Sequence, residues 1–146
     1  MFSRSIVKAV IFILGGVIAA YFIFWDAPSL FNRKQVPGSV EHMNSVAAQL
    51  NRSLPSMLDQ ETELTTAEGA YRMLIYKYRL INVPTGRLDY QRFAADAKPK
   101  LTQAACTNAA TREDFLSKGI SLRYSYFDKD KNHIATIDVT PKDCGL

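Results

Sequence analysis

The chain begins with a long apolar run and continues with shorter patterns of hydrophobic and polar residues. The run from Ala9 to Trp25 contains neither a charged residue nor a proline. At about 1.5 Å per helical residue, the run and the three residues before it span roughly the hydrocarbon core of a bilayer. The pattern predicts an N-terminal transmembrane helix that contacts the lipid bilayer through residues 6–25.

The flanks of this run favour an uncleaved anchor over a secretory signal peptide. Lys8 precedes the run, and Tyr21 and Trp25 lie where interfacial aromatic side chains occur, so these three are the predicted membrane-interface residues. A signal peptide ends in small residues, whereas bulky aromatic residues follow the alanine pair here. We expect residues 1–25 to remain as the anchor, and the sequence alone leaves their cleavage open.

Behind the anchor, the composition divides the chain into a linker and one domain. Residues 26–38 contain two prolines, a glycine and two adjacent basic residues, which disfavour a continuous helix and predict a juxtamembrane linker. Residues 39–146 are enough for one hydrophobic core and too few for two domains. A single extracytoplasmic domain is therefore predicted over residues 39–146.

Two helical patterns occur in this domain. Apolar residues spaced three and four apart follow Ser39 as far as Leu54, which predicts an amphipathic helix with Ser39 as its N-cap. A second helix is predicted from Leu88 to Cys106, and Pro99 should kink or split it. Both helices present an apolar stripe that must pack on another layer.

Alternation of apolar and polar residues predicts four strands. Residues 62–66 and 71–81 form a predicted hairpin around a turn at Glu68 and Gly69, and residues 120–126 and 134–139 form a second pair. With the helices, the order is α-β-β-α-β-β. The simplest fold that buries these patterns is α+β, with a four-stranded antiparallel sheet and helices packed on one face.

A short helical turn is also predicted before the second pair of strands. Thr111 and Asp114 resemble a capping box that opens this turn, and Gly119 ends it.

The two cysteines, Cys106 and Cys144, predict a disulfide and a compartment. Such a pair in a small domain behind an anchor favours a bond formed in an oxidising environment. The bond would join the end of the second helix to the C-terminus. We expect a single-pass protein of the inner membrane with a cytoplasmic N-terminus and a periplasmic domain.

Composition and motifs argue against several chemistries. Once Arg4 and Lys8 are assigned to the anchor, sixteen basic and fourteen acidic residues remain, so no nucleic-acid partner is predicted. The run from Asp128 to Asn132 begins like a calcium loop but lacks its glycine and its terminal glutamate. No zinc, phosphate-loop or nucleophile motif occurs. We therefore predict no metal, no cofactor and no catalytic residue.

Aromatic and basic residues concentrate on two of the predicted strands. Tyrosine and arginine are enriched in protein interfaces, so these strands carry the candidate binding surface, although half or more of its aromatic rings should belong to the core. The candidate residues are Tyr76, Tyr78, Arg79, Arg123, Tyr124 and Tyr126.

The segment from Cys106 to Cys144 resembles a group of bacterial envelope proteins. With its Tyr124-Ser125-Tyr126 strand and terminal Asp143-Cys144, it is similar to small, uncharacterised, single-span, disulfide-containing envelope proteins of Gram-negative bacteria. The resemblance covers mainly the last forty residues. It implies an exported, disulfide-bonded domain and no particular activity.

Together these observations predict a membrane-anchored extracytoplasmic protein-binding module, an accessory subunit or inhibitor-type protein of the cell envelope. Two alternatives stay open: an immunity protein against an exported toxin, which predicts a tight stoichiometric complex, and an envelope hydrolase whose catalytic groups converge only in the fold. A protein partner in the envelope is predicted, and a homodimer stays open.

Overall fold

The computed structural model describes residues 35–146. The apolar run, and with it Lys8, Tyr21 and Trp25, lies outside these residues. Within the described part of the chain, no helix is both long enough and apolar enough to cross a membrane. The transmembrane helix of the predicted fold is therefore not found in the described domain.

The described domain contains three α-helices, five strands and two short 3-10 turns. The helices are α1 (Val40–Asn51), α2 (Tyr90–Thr107) and α3 (Ala109–Asp114). The strands are β1 (Ser56–Met57), β2 (Thr62–Ala70), β3 (Met73–Leu80), β4 (Ser121–Phe127) and β5 (His133–Val139), and the 3-10 turns are Leu116–Lys118 and Pro141–Cys144.

Helix α1 begins where the sequence predicts. The Ser39 side chain accepts a hydrogen bond from the His42 backbone N–H at 3.2 Å, which satisfies one of the free donors of the first turn. Met43 and Ala47, four residues apart, are the buried residues of this helix. The helix lies so close to β2 that a Cβ on Gly69 would sit 2.3 Å from the Met43 carbonyl carbon. Gly69 therefore serves helix–sheet packing.

Helix α2 is a single helix over Tyr90–Thr107, close to the predicted range. Asp89 caps it by accepting a hydrogen bond from the Arg92 backbone N–H at 3.0 Å, and the helix continues through Pro99 without being split. The following helix α3 is capped by Asn108, whose side chain accepts from the Thr111 backbone N–H at 2.9 Å. The predicted capping role of Thr111 is wrong because the helix begins earlier, at Ala109, and Asn108 is its N-cap.

The sheet corrects the predicted fold class. It has five strands in the order β1-β2-β3-β4-β5, and β3 and β4 are parallel while the other neighbours are antiparallel. The prediction of four antiparallel strands is wrong for two reasons. The two-residue β1 is too short to show alternation, and α2 forms the crossover that a parallel pair requires, whereas antiparallel strands can be joined by a hairpin.

The hairpin between β2 and β3 turns at Tyr71 and Arg72, three residues after the predicted position. Arg72 has a left-handed backbone with φ +52°, where glycine is usual. Its backbone N–H donates to the Gly38 carbonyl at 2.8 Å, and its own carbonyl accepts from the Ser121 N–H at 2.9 Å. These contacts with distant segments offset the local strain.

The helices cover one face of the sheet, and the other face is open. On the covered face, Leu74, Leu122 and Val139 are at most 1% exposed and form the centre of the core. On the open face, Arg123 forms two hydrogen bonds of 2.7 and 2.8 Å with Asp138. Adjacent residues of one strand thus meet opposite environments, as the period of two requires.

The disulfide between Cys106 and Cys144 is confirmed, with Cα atoms 5.4 Å apart. It joins the last turn of α2 to the 3-10 turn after β5. Lys98 strengthens the same junction: its ammonium lies 3.1 Å from the Asp143 carboxylate and donates to the Asp138 carbonyl. The C-terminal segment is therefore fastened to the helix that covers the sheet.

Candidate protein-binding groove

A groove lies on the covered face between α2, the β1–β2 connection and the ends of β3 and β4. It has a volume of about 720 Å³ and is open to solvent along one side. It is found at the carboxyl ends of the parallel strands β3 and β4, next to the N-terminal half of α2. Its lining residues are Leu58, Asp59, Thr62, Tyr78, Leu80, Leu88, Asp89, Arg92, Phe93, Asp96, Ala97, Lys100, Leu101 and Tyr126.

Aromatic rings form the floor of the groove. Tyr78 and Tyr126 stack with ring centroids 5.0 Å apart and planes inclined by 19°. Phe93 of α2 contacts Tyr126 edge-to-face at 5.0 Å and 74°. Offset stacking and edge-to-face contacts are the favourable arrangements of aromatic pairs, so the floor is held rigidly before any ligand binds.

The floor continues into the core as a row of four tyrosines. Neighbouring rings lie 5.0 to 6.3 Å apart, and all four side chains share the covered face. Burial raises the pKa of each phenol because it disfavours the ionised form. The members of the row are Tyr76, Tyr78, Tyr124 and Tyr126.

Asp59 places a negative charge beside this aromatic floor. Its carboxylate accepts hydrogen bonds from the backbone N–H groups of Glu61 at 2.8 Å and Thr62 at 2.7 Å, which lower its pKa. Burial, together with the charge of Asp59, raises the pKa of Tyr126 to about 12. At neutral pH the Asp59 carboxylate is therefore anionic and the Tyr126 phenol is neutral.

The rim of the groove carries charges of both signs. Asp89, Asp96 and Asp59 are acidic, while Arg92 and Lys100 are basic. Arg92 and Asp96, one helical turn apart, are separated by 3.9 Å and are both exposed. Because such exposed pairs contribute little to stability, these side chains are free to exchange partners with an incoming ligand.

The structure divides the candidate binding residues between two faces. The four tyrosines come together on the covered face, and only Tyr78 and Tyr126 line the groove. Arg79 and Arg123 lie on the open face, where they pair with Glu63 and Asp138 at 2.7 Å. The six residues therefore do not form one continuous surface.

Several residues that line the groove are absent from the binding surface that the sequence predicts. Phe93, Ala97 and Leu101 are spaced four apart, and the sequence predicts them only as apolar positions of the second helix. Leu58 lies in the connection between β1 and β2 and is 57% exposed. The sequence does offer one indication of its role: Leu58 is an apolar residue in a polar loop, where no strand or helix pattern explains it.

The histidines and the Asp128 loop serve the fold. His42 accepts the Gly38 backbone N–H at 3.1 Å, and His133 contacts Thr136 at 2.8 Å on the edge strand. Asp128 is buried, and burial by itself raises the pKa of its carboxyl group. Hydrogen bonds from Asn132, Thr85 and Asp130 outweigh this effect and lower the pKa. Within residues 35–146, no group of three or more potential ligands is placed to hold a metal ion.

Comparison with known proteins identifies similar folds. No family model and no curated protein matches the sequence. A secreted-protein candidate from Pseudomonas aeruginosa matches with a TM-score of 0.60 and 18% identity, covering 72% of this chain and 91% of its own. A type 2 secretion system pilotin from Vibrio vulnificus matches with a TM-score of 0.57 and 17% identity, covering 72% and 90%.

A type II secretion system pilotin from Vibrio cholerae also matches, with a TM-score of 0.53 and 17% identity over 72% of this chain and 91% of its own. At these identities the likeness concerns the fold. The described domain therefore has a fold similar to those of the two pilotins and the secreted-protein candidate.

Proposed function

We propose that this protein is a non-catalytic, protein-binding accessory module of the cell envelope, and that its groove holds a segment of a partner protein. The groove with its preformed aromatic floor is the observation that carries the proposal. Tyrosine and phenylalanine are typical anchors of protein interfaces because they bury a large area at a small entropic cost. The likeness to secretion pilotins supports an accessory role in place of catalysis.

The groove favours an apolar partner segment with flanking charges. Leu58, Leu88 and Phe93 provide an apolar interior, while Asp59 and Arg92 on the rim can pair with charges of either sign. A rim that carries both signs selects orientation more than it adds affinity. The partner is therefore expected to insert one apolar stretch with polar residues on both sides.

The proposed location is the inner membrane, with residues 6–25 in contact with the bilayer, a cytoplasmic N-terminus and a periplasmic domain. The Cys106–Cys144 bond supports it because both cysteines are partly exposed and disulfides persist in oxidising compartments. Thiol alkylation of the protein in its native membrane tests this location. Free thiols in most molecules would contradict a periplasmic domain.

Site-specific photocrosslinking of the full chain in its native envelope tests the groove. A photoreactive amino acid at Leu88 should give one discrete protein adduct, because Leu88 lines the groove and is only half-buried. The same amino acid at Thr136, on the open face, should give none. An adduct at Thr136 but not at Leu88 would place the binding surface on the open face.

A matched pair of substitutions separates binding from folding. Phe93 and Phe127 are both half-buried and each makes one edge-to-face contact, but Phe93 lines the groove and Phe127 packs on His133. Phe93→Ser should abolish the Leu88 adduct, while Phe127→Ser should keep it. An adduct with an exported toxin would identify an immunity protein, and equal losses in both variants would count against the groove.

A further inference from the structure

One end of the domain exposes apolar side chains beside the point where the chain enters it. Among the described residues, Val36, Val40 and Tyr71 are 69%, 43% and 70% exposed. All three lie within two residues of the backbone hydrogen bond that joins Gly38 to Arg72 at 2.8 Å. We call this cluster of Val36, Val40 and Tyr71 the linker end.

The linker end is held rigidly by Arg72. Its guanidinium donates to the Lys118 carbonyl at 3.3 Å, and its side chain lies against two glycines with left-handed backbones, Gly38 and Gly119. A Cβ on Gly119 would lie only 2.8 Å from the guanidinium Nη2, and one on Gly38 would lie 3.2 Å from the Arg72 Cγ. Arg72 thus fixes the hairpin tip, the start of the domain and the turn before β4 to one another.

Hydrogen bonds also fix the backbone between Val36 and Val40. The Ser39 backbone N–H donates to the Val36 carbonyl at 2.9 Å, and the Gly38 N–H donates to His42 Nδ1 at 3.1 Å. Val36 and Val40 are therefore presented in a fixed relation to Tyr71. Apolar side chains kept exposed on a rigid frame indicate a surface that contacts something.

The charges near the linker end are mainly basic. Arg72 and Lys118 are on the domain, and the sequence places Arg33 and Lys34 immediately before the described residues. The acids on the same elements are Glu41, in the first turn of α1, and Asp114, which pairs with Lys118 at 3.6 Å. Basic groups around an exposed tyrosine and two valines suit the headgroup region of an anionic bilayer.

We infer that the linker end docks on the surface of an anionic phospholipid bilayer through Tyr71, Val36 and Val40. The inference rests on the proposed membrane contact of residues 6–25. Only residues 26–34 separate Trp25 from the described domain, so a fully extended chain keeps its start within roughly 35 Å of the apolar run. The bilayer is therefore the surface that the linker end meets most often.

Docking in this way determines where the groove faces. Tyr71 and Arg72 precede β3, while Tyr78 and Leu80, which line the groove, lie at its other end. At about 3.3 Å per residue, the eight residues of β3 separate the two ends by roughly 25 Å. A domain docked by its linker end would hold the groove away from the lipid and open to a partner.

Quenching of indole fluorescence by brominated lipids tests the inference on the full chain. The only natural tryptophan is Trp25, so Trp25→Phe gives a silent background into which Tyr71→Trp is introduced. Lys129→Trp in the same background is the control, because Lys129 is exposed in the turn between β4 and β5, at the far end of the sheet. Each protein is reconstituted in vesicles of brominated phosphatidylcholine and phosphatidylglycerol.

The expected result is a loss of emission at position 71 comparable with that of Trp25 in the wild type, and little loss at position 129. Thermal unfolding of both variants establishes that they keep the fold. Quenching at position 71 should weaken at 1 M salt, where the screening length falls to about 3 Å. Equal quenching in pure phosphatidylcholine would overturn the assignment to an anionic surface.

Comparing the quenching of Trp25 with that at position 71 separates lipid docking of the linker end from the membrane contact of residues 6–25. Quenching of Trp25 without quenching at position 71 overturns lipid docking and leaves the proposed membrane contact standing. Absence of quenching at Trp25 as well overturns both. Shielding of position 71 that follows the protein-to-lipid ratio, without bromine quenching, would assign the linker end to contacts between copies of this chain.

Discussion

The two faces of the sheet are built from the same strands and behave oppositely. Leu122 and Arg123 are neighbours on β4, yet Leu122 is 1% exposed beneath the helices while Arg123 forms an ion pair in solvent. The covered face derives its stability from burial, which is worth several kcal/mol for a large side chain, whereas an exposed ion pair contributes at most about 1 kcal/mol. The proposed binding site lies at the groove, where the helices leave part of the covered face open.

The largest expected effect on stability comes from removing the disulfide that fastens the C-terminal segment to α2. Replacing both cysteines, Cys106→Ser with Cys144→Ser, should lower the free energy of unfolding by about 4 kcal/mol, since the bond closes a loop with a sequence separation of 38. Urea denaturation measures this change. A loss below about 1 kcal/mol would show that Lys98 and the packing of α2 hold the C-terminus without the bond.

Substitutions at two adjacent residues of β4 compare how much the covered and the open face of the sheet contribute to stability. Leu122→Ala should cost about 3 kcal/mol because it leaves a cavity under the helices. Arg123→Ala, one residue away, should cost no more than about 1 kcal/mol. Denaturation of the two variants under identical conditions measures both. Similar costs would mean that the open face is also shielded from solvent in the native protein.

The close contact between Gly69 and the backbone of α1 should have a somewhat smaller effect on stability. Gly69→Ala should cost about 2 kcal/mol because the added methyl group meets the backbone of α1. Gly86→Ala is the control, since nothing lies within 4 Å of its Cβ position and only its positive φ opposes the change, at about 1 kcal/mol. A cost at Gly69 well below that at Gly86 would show that α1 shifts with little penalty.

High pH should loosen the covered face. Burial raises the pKa of Tyr126 to about 12 from its usual 10, so the folded state binds this proton more tightly than the unfolded chain does. The resulting stability is complete below pH 10 and is lost as the pH rises through 12, an effect on the order of 2 kcal/mol. Ultraviolet absorbance of tyrosinate, followed with far-ultraviolet circular dichroism, measures it, and Tyr126→Phe should reduce the loss.

The smallest effect belongs to the open face at low pH. The hydrogen bonds from Arg123 lower the pKa of Asp138. This contribution is present above the ordinary pKa of an aspartate and is lost as the pH falls through the lowered value. Since both side chains are 37% exposed, Asp138→Asn should change stability by less than about 1 kcal/mol. A larger loss in acid urea titrations would contradict this view of the open face.

Local patterns predicted most of the elements. Ser39 begins α1 as expected, because N-capping depends on residues within one turn. The strands over β3, β4 and β5 follow the period of two in their sequences. The disulfide was also predictable, because the domain contains only two cysteines.

The errors arose where distant contacts outweigh local preference. A turn was predicted at Glu68 and Gly69 because glycine favours turns, but Gly69 is needed where α1 touches the sheet. The turn instead uses Arg72, whose left-handed backbone is supported by Gly38 and Lys118. Neither partner is close to Arg72 in sequence.

The candidate site was predicted only in part for the same reason. Tyr78 and Tyr126 were selected for their residue type and do line the groove, whereas Arg79 and Arg123 were grouped with them although they face the other way. Alternation in each strand separates the two groups, but it does not say which face the helices cover. Leu58 and Leu88 belong to loops whose positions depend on the assembled sheet.

By itself, the sequence determined the helices, the main strands and the cysteine pair. These features depend on spacing, capping and residue type over a few positions. Only the tertiary structure decided the parallel pairing of β3 with β4, the extra strand β1, the place of the hairpin turn and the gap that α2 leaves on the covered face. Those depend on contacts between segments far apart in the chain, whose free energies no local pattern records.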